Sequence, residues 1–182
     1  QGRNEDGDVT RNERSIQKAN GDGFGLSFNY QNIQGSGVSF AGAYSSSNRT
    51  EGQKELVNSA AGDKAQAWAT GLKYDANQAY IAAMYGETLN MTPYKRLIAN
   101  KTQNVELVAQ YQFENGIRPS LAYIQSKGKD LAGVGDTDLV KYAEIGVTYH
   151  FNKNMYTYVD YKINLLDNDK NPLGLNTDDV VA

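Results

Sequence analysis

The sequence predicts an all-β chain, an antiparallel up-and-down β-barrel that crosses a membrane with its strands. Three observations lead there. Apolar and polar residues alternate with a period of two over stretches of roughly ten residues, the mark of an extended strand with two unlike faces. The connections between these stretches alternate between short and long. Aromatic residues recur where a stretch enters a short connection.

Bulk composition narrows the field. A chain of 182 residues is expected to form one domain, and no linker or composition shift divides 1–182. It has no cysteine, so it has no disulfide framework and no thiolate chemistry. A net charge of -3 argues against binding nucleic acid, which needs a basic face. No basic stretch followed by an apolar run opens the chain, so no signal peptide is expected within it. There is no apolar run of about 18 residues, which rules out a membrane-spanning helix. The mean hydropathy of -0.62 leaves a membrane barrel open, because each lipid-facing residue there alternates with a polar one.

Eight strands follow in order, at 22–31, 36–45, 64–75, 79–88, 103–113, 117–126, 139–151 and 155–165, with a ninth beginning at 178–182. The first ends on Phe28 and Tyr30, and Gln31-Asn32-Ile33-Gln34-Gly35 turns it into the second. In the third, Trp68, Thr70, Leu72 and Tyr74 oppose Ala67, Ala69, Gly71 and Lys73, and Asp75-Ala76-Asn77-Gln78 turns the chain. The fourth is ambiguous: Ile81, Ala83 and Tyr85 face one way, Tyr80, Ala82 and Met84 the other. The fifth sets Val105, Leu107, Ala109, Tyr111 and Phe113 against Glu106, Gln110 and Gln112 before the turn Glu114-Asn115-Gly116. Ile117, Pro119, Leu121 and Tyr123 continue the apolar side in the sixth. Ala143, Ile145, Val147, Tyr149 and Phe151 carry it through the seventh, and Met155, Thr157, Val159, Tyr161 and Ile163 through the eighth. Long polar connections are expected at 1–21, 46–63, 89–102, 127–138 and 166–177.

The apolar side is almost free of charge, as a lipid-facing surface requires; a charge at the bilayer midplane costs about 2–4 kcal/mol. The polar side carries Lys73, Glu106, Arg118, Glu144, Asp160 and Lys162, with Tyr158 beside them. With the apolar side outward, these residues line a wet interior, where opposite charges on a wall bias ion passage. Tyr30, Tyr74, Phe113 and Phe151 recur at one height and form an expected interfacial girdle. Arg3, Arg11, Arg14 and Lys18, in the first long loop, are expected at the extracellular mouth. Eight strands closed on themselves leave room only for side chains, and the chain begins and stops as if mid-barrel, so a larger barrel is expected. Two rivals stand: a small closed membrane barrel acting as anchor or adhesin, and a soluble lipocalin-like barrel with the apolar side inward.

No catalytic or metal site stands out. His150 is the only histidine, at a strand end with no spaced Cys, Asp or Glu to complete a metal site. Ser45-Ser46-Ser47 lacks the glycine elbow of a nucleophile. No cofactor is expected.

The segments NGDGFGLSFNY, WATGLKYDANQAYIAAMYGET, ANKTQNVELVAQYQFENGIRPSLAYIQSKGKDL, EIGVTYHFNKNMYTYVDYKINLLD and NTDDVVA resemble the general diffusion porins of Gram-negative outer membranes. YIQSKGKDL and YVDYKINLLD are most similar to the osmoporin branch of the OmpC, OmpF and PhoE type. The resemblance covers nearly the whole chain and corresponds to the back half of the family's barrel. It implies part of a sixteen-stranded barrel, a homotrimer in outer-membrane lipid and lipopolysaccharide, and passive diffusion of small hydrophilic solutes and ions. Phages or toxins at the long loops are further partners it implies. It supports Lys73, Arg118, Tyr158 and Asp160 as wall residues. The family's inward-folded third loop and its terminal aromatic lie outside the matched region.

Overall fold

The computed structural model describes residues 16–169 and 171–182. Nine strands form one antiparallel sheet: β1 (Gly23–Tyr30), β2 (Val38–Asn48), β3 (Lys64–Ala76), β4 (Ala79–Leu89), β7 (Lys101–Tyr111), β8 (Ile117–Leu131), β9 (Gly135–Asn152), β10 (Met155–Asn164) and β11 (Val180–Val181). They pair in that sequence, each with its chain neighbour, as an up-and-down meander does. A separate two-stranded hairpin, β5 (Pro93–Tyr94) and β6 (Leu97–Ile98), sits in the connection after β4. Among the described residues the sheet is open, with β1 at one edge and β11 at the other, unlike the closed eight-stranded barrel of the first rival.

The short connections owe their tightness to residues that tolerate left-handed backbone. Asn77 and Gln78, at φ 52° and 66°, make the two-residue turn from β3 to β4 whose hand suits the twist of the strands. Between β1 and β2, the Asn32 side-chain oxygen accepts the Gly37 N–H at 2.8 Å. Between β7 and β8, Gly116 has φ 87°, and a Cβ there would lie 2.6 Å from the His150 carbonyl oxygen. Gly116→Ala therefore loses on two counts, strain and collision. We expect a destabilisation of about 1–2 kcal/mol or more, read from a urea titration of the refolded protein.

One long connection is not a loop. Residues 127–138, expected to be irregular, are strand except at the tip: β8 has 15 residues and β9 has 18, and only 132–134 turn. Ser, Lys, Gly, Asp and Thr gave the segment a loop-like composition. On the expectation of a membrane barrel its polarity has another cause, a hairpin that outruns the roughly ten residues a strand needs to cross a bilayer. Pairing continues through bulges at Ser126/Lys127 and Gly128/Leu131, and Lys129 and Asp136 make an ion pair across the hairpin.

The small apolar core lies among the long connections, not between strand centres. Tyr94, Ala99, Leu131 and Leu173 are buried together, with Leu97, Val134, Leu139 and Leu175 packed against them. A short helix, α1 (Glu51–Lys54), is capped by the Thr50 side chain and closes a capping box with Gln53. Gln53 then donates to the carbonyls of Ile16 and Ala19, both at 2.8 Å, tying two long connections together.

Candidate functional site

Directly opposed residues of antiparallel neighbours point to the same face, so the register assigns every side chain. One row runs Ser39, Lys73, Ala82, Val108, Ala122, Glu144, Lys162. The next runs Ala41, Gly71, Met84, Glu106, Ile124, Tyr142, Asn164. Asp75, Tyr80, Gln110, Ser120, Gly146 and Asp160 form a third, and Arg118, Thr148 and Tyr158 a fourth. All seven residues expected on the polar side thus share one face. The ambiguous strand resolves as well: Tyr80, Ala82 and Met84 lie on the polar side, Ile81, Ala83 and Tyr85 on the other.

The opposite face carries Tyr30, Phe40, Leu72, Ala83, Leu107, Tyr123, Ala143 and Ile163 in one row. Its side chains are uncovered: Leu107 is 46% exposed, Val147 47% and Val159 62%. A soluble barrel with the apolar side inward requires these residues in a packed centre, and that rival fails here. The hollow of the sheet is on the polar side, where about 460 Å³ opens against Lys73, Tyr80, Ala82, Met84, Glu106 and Val108.

Charges on the polar face fall into two classes. Some are partnered: Lys73 lies 3.5 Å from Asp75 and its ammonium sits 6.0 Å from the Tyr80 ring centre, while Arg118 donates to the Gln110 side-chain oxygen. The Lys162 ammonium sits 4.1 Å over the Tyr142 ring. Glu144 opposes Lys162 in register yet makes no ion pair with it. Among the described residues, Glu106, Glu144 and Asp160 take part in no ion pair within 4.0 Å. The Asp160 carboxylate and the Ser120 hydroxyl fill the space over Gly146, their neighbour in register, where a Cβ would collide with both.

Of the remaining expected residues, Tyr30, Phe113 and Phe151 are exposed at the short-turn ends, and Tyr74 lies in the apolar-face row with Val38 and Ile81. Lys18 ends a 3₁₀ turn at Ile16–Lys18, while Arg3, Arg11 and Arg14 lie outside the described residues. His150 rests beside the Tyr156 ring, centroids 5.8 Å apart.

A feature the sequence reading missed is a second aromatic band at the long-connection end of the apolar face. Gln66 donates to the Tyr44 phenol at 2.6 Å, the Tyr85 phenol donates to Glu87 at 2.9 Å, and the Tyr123 phenol donates to Gln125 at 3.1 Å. The Tyr161 phenol donates to Asp179 at 2.6 Å. In two cases the signal was present, as a Tyr followed two residues later by Glu or Gln on the same face: Tyr85 with Glu87, Tyr123 with Gln125. Each phenol keeps its ring in the apolar band and reaches a polar partner beyond it, the habit of an aromatic at a wet-apolar boundary.

Comparison with known proteins agrees with this geometry. The family model described as Gram-negative porin matches residues 1–182. The outer membrane porin PhoE of Enterobacter cloacae is 57% identical over 182 residues, covering 100% of this chain and 49% of that protein. Outer membrane porin N of Escherichia coli strain K12 is 54% identical over 188 aligned positions, covering 95% of this chain and 49% of that protein. The solved structure of Salmonella typhi OmpF in complex with daunomycin matches with a TM-score of 0.84 and 46% identity, covering 100% of this chain and 52% of that one. The chain spans about half the length of the curated relatives it matches.

Proposed function

The chain belongs to the Gram-negative porin family, and on that premise we propose that it forms part of a water-filled channel across the outer membrane. Small hydrophilic solutes and ions diffuse through it passively, and no reaction is catalysed. The observation that carries this reading is the division of one sheet into an uncovered apolar face and a charged face that borders the hollow. Lipid satisfies the first and water the second; no other pair of solvents does both. In this reading Lys73, Glu106, Arg118, Glu144, Tyr158, Asp160 and Lys162 border the water column. Tyr30, Tyr74, Phe113 and Phe151 mark the periplasmic interface, and the phenols of Tyr44, Tyr85, Tyr123 and Tyr161 mark the outer one. The full-length protein assembles as a homotrimer, with lipopolysaccharide around it and Lys18 at its mouth.

Reconstitution of the full-length barrel carrying this segment into planar bilayers tests the reading. Stepwise conductance and precipitation on detergent removal are expected; a protein that stays dissolved without detergent and never conducts overturns it. The wall charges give a finer test. A unit charge in water is worth about 1 kcal/mol at 4 Å, and salt at 0.1 M screens it within about 10 Å. Lys73→Gln therefore raises the cation-to-anion permeability ratio by roughly 1.5-fold, and Asp160→Asn lowers it by a similar factor. Reversal potentials in a salt gradient read both, and both effects fade at 1 M salt, where the screening length is about 3 Å. Shifts of the same sign in the two variants contradict the wall assignment.

A further inference from the structure

The channel wall carries an apolar interruption whose charge is unbalanced. The hollow of about 460 Å³ is floored by Gly71, Ala82, Val108 and Ala122, an apolar floor within a wall that is otherwise polar. Its volume falls within the roughly 300–1,000 Å³ typical of small-molecule sites. Two opposite charges border it, and they are not equivalent. Lys73 is neutralised by Asp75 at 3.5 Å. Glu106 is exposed and makes no ion pair among the described residues. Together with Met84, Glu106 also borders a second hollow of about 260 Å³, floored by Ala43, Ala69 and Gly86. The carboxylate therefore stands between two shallow apolar beds.

We propose that this part of the wall is a subsite for small amphiphilic cations, the apolar body lying on the Ala82, Val108 and Ala122 floor and the ammonium against Glu106. The inference rests on the channel reading and names one solute class that the channel retains in passing. Charge complementarity selects the occupant. An apolar anion finds Lys73 already engaged and Glu106 repelling it; a cation without an apolar body gains only the exposed ion pair. An uncharged apolar molecule gains the floor alone. Only the combination uses both.

The test is single-channel recording on the full-length reconstituted protein, with the dwell time of current interruptions as readout. Three probes are compared: 1-naphthylmethylammonium, methylammonium and naphthalene-1-sulfonate. The first is expected to dwell longest. Glu106→Gln shortens its dwell by about three- to fivefold, the range of an exposed ion pair. Val108→Asn, which keeps the charge and spoils the floor, shortens it by about threefold. Equal dwell for the sulfonate, or a dwell unchanged by Glu106→Gln, overturns the subsite. Loss with Glu106→Gln but not with Val108→Asn reduces it to simple ion pairing and overturns it too. Persistent open-channel steps in the same records separate failure of the subsite from failure of the channel reading; if no steps appear at all, both fall.

Discussion

Leu107→Arg is expected to destabilise the folded protein in lipid by about 2–4 kcal/mol, while Val108→Arg, one residue along, costs less than about 1 kcal/mol. The two positions are adjacent on β7 and face opposite ways. Leu107 lies in register between Ala83 and Tyr123 on the apolar face, and Val108 between Ala82 and Ala122 on the polar one. Along β7, Leu107 lies between Tyr111 near the short-turn end and Gln103, whose amide donates to the Tyr85 phenol at 3.0 Å. That places it near the middle of the apolar band, where a guanidinium has no water within easy reach. From Val108, on the proposed channel reading, the same guanidinium enters water; it narrows the passage and adds a positive charge but buries nothing. Urea titration of protein refolded into phosphatidylcholine vesicles measures both. Equal costs, or a larger one at Val108, would show that the faces had been assigned the wrong way round.

How much of this was legible follows from the physics of each element. The two faces were legible because a period of two is a direct projection of strand geometry onto sequence, and lipid tolerates few exceptions. The polar side was accordingly recovered residue by residue, from Lys73 on β3 to Lys162 on β10. Strand β4 could not be read alone, since Tyr, Ala, Ile and Met occupy both of its sides; only pairing with Lys73 and Glu106 orients it. The extended hairpin of β8 and β9 was hidden by its surroundings. Beyond the membrane both faces of a strand meet water, alternation vanishes, and a paired strand acquires the composition of a loop. The core of the long connections was equally hidden. Tyr94 and Ala99, Leu131, and Leu173 come from three separate stretches of the sequence and obey no period, because what gathers them is the meander that brings the strand ends together.

The same hidden region supplies the second large expected effect. Arg49 is 3% exposed, and the partners its guanidinium finds are backbone carbonyls: Nη1 donates to Ala60 at 2.7 Å and Gly62 at 2.6 Å, and Nη2 to Gln53 at 2.7 Å, while the buried Nε has no partner among the described residues. Burial works against its charge, and the nearby Asp63 works for it. The side chain thereby ties three points of the connection from β2 to β3, at Gln53, Ala60 and Gly62, to the end of β2. A hydrogen bond to a charged group is worth about 1.5–3 kcal/mol, and three that share one side chain do not add fully. Arg49→Ala is expected to cost about 3 kcal/mol of local stability, equivalent to roughly a hundredfold loss of amide protection at Ala60, whose N–H donates to the Ile98 carbonyl. Arg49→Lys recovers little, because an ammonium cannot present the planar fork that reaches both sides of the loop. Protection of the β7 amides stays unchanged, since the sheet does not depend on this pin. Hydrogen exchange followed by mass spectrometry resolves the two regions. An Ala60 amide as protected in the alanine variant as in the parent would mean that the loop is held by the hydrogen bonds of Ser59 and Ala60 to Ile98 and not by the arginine.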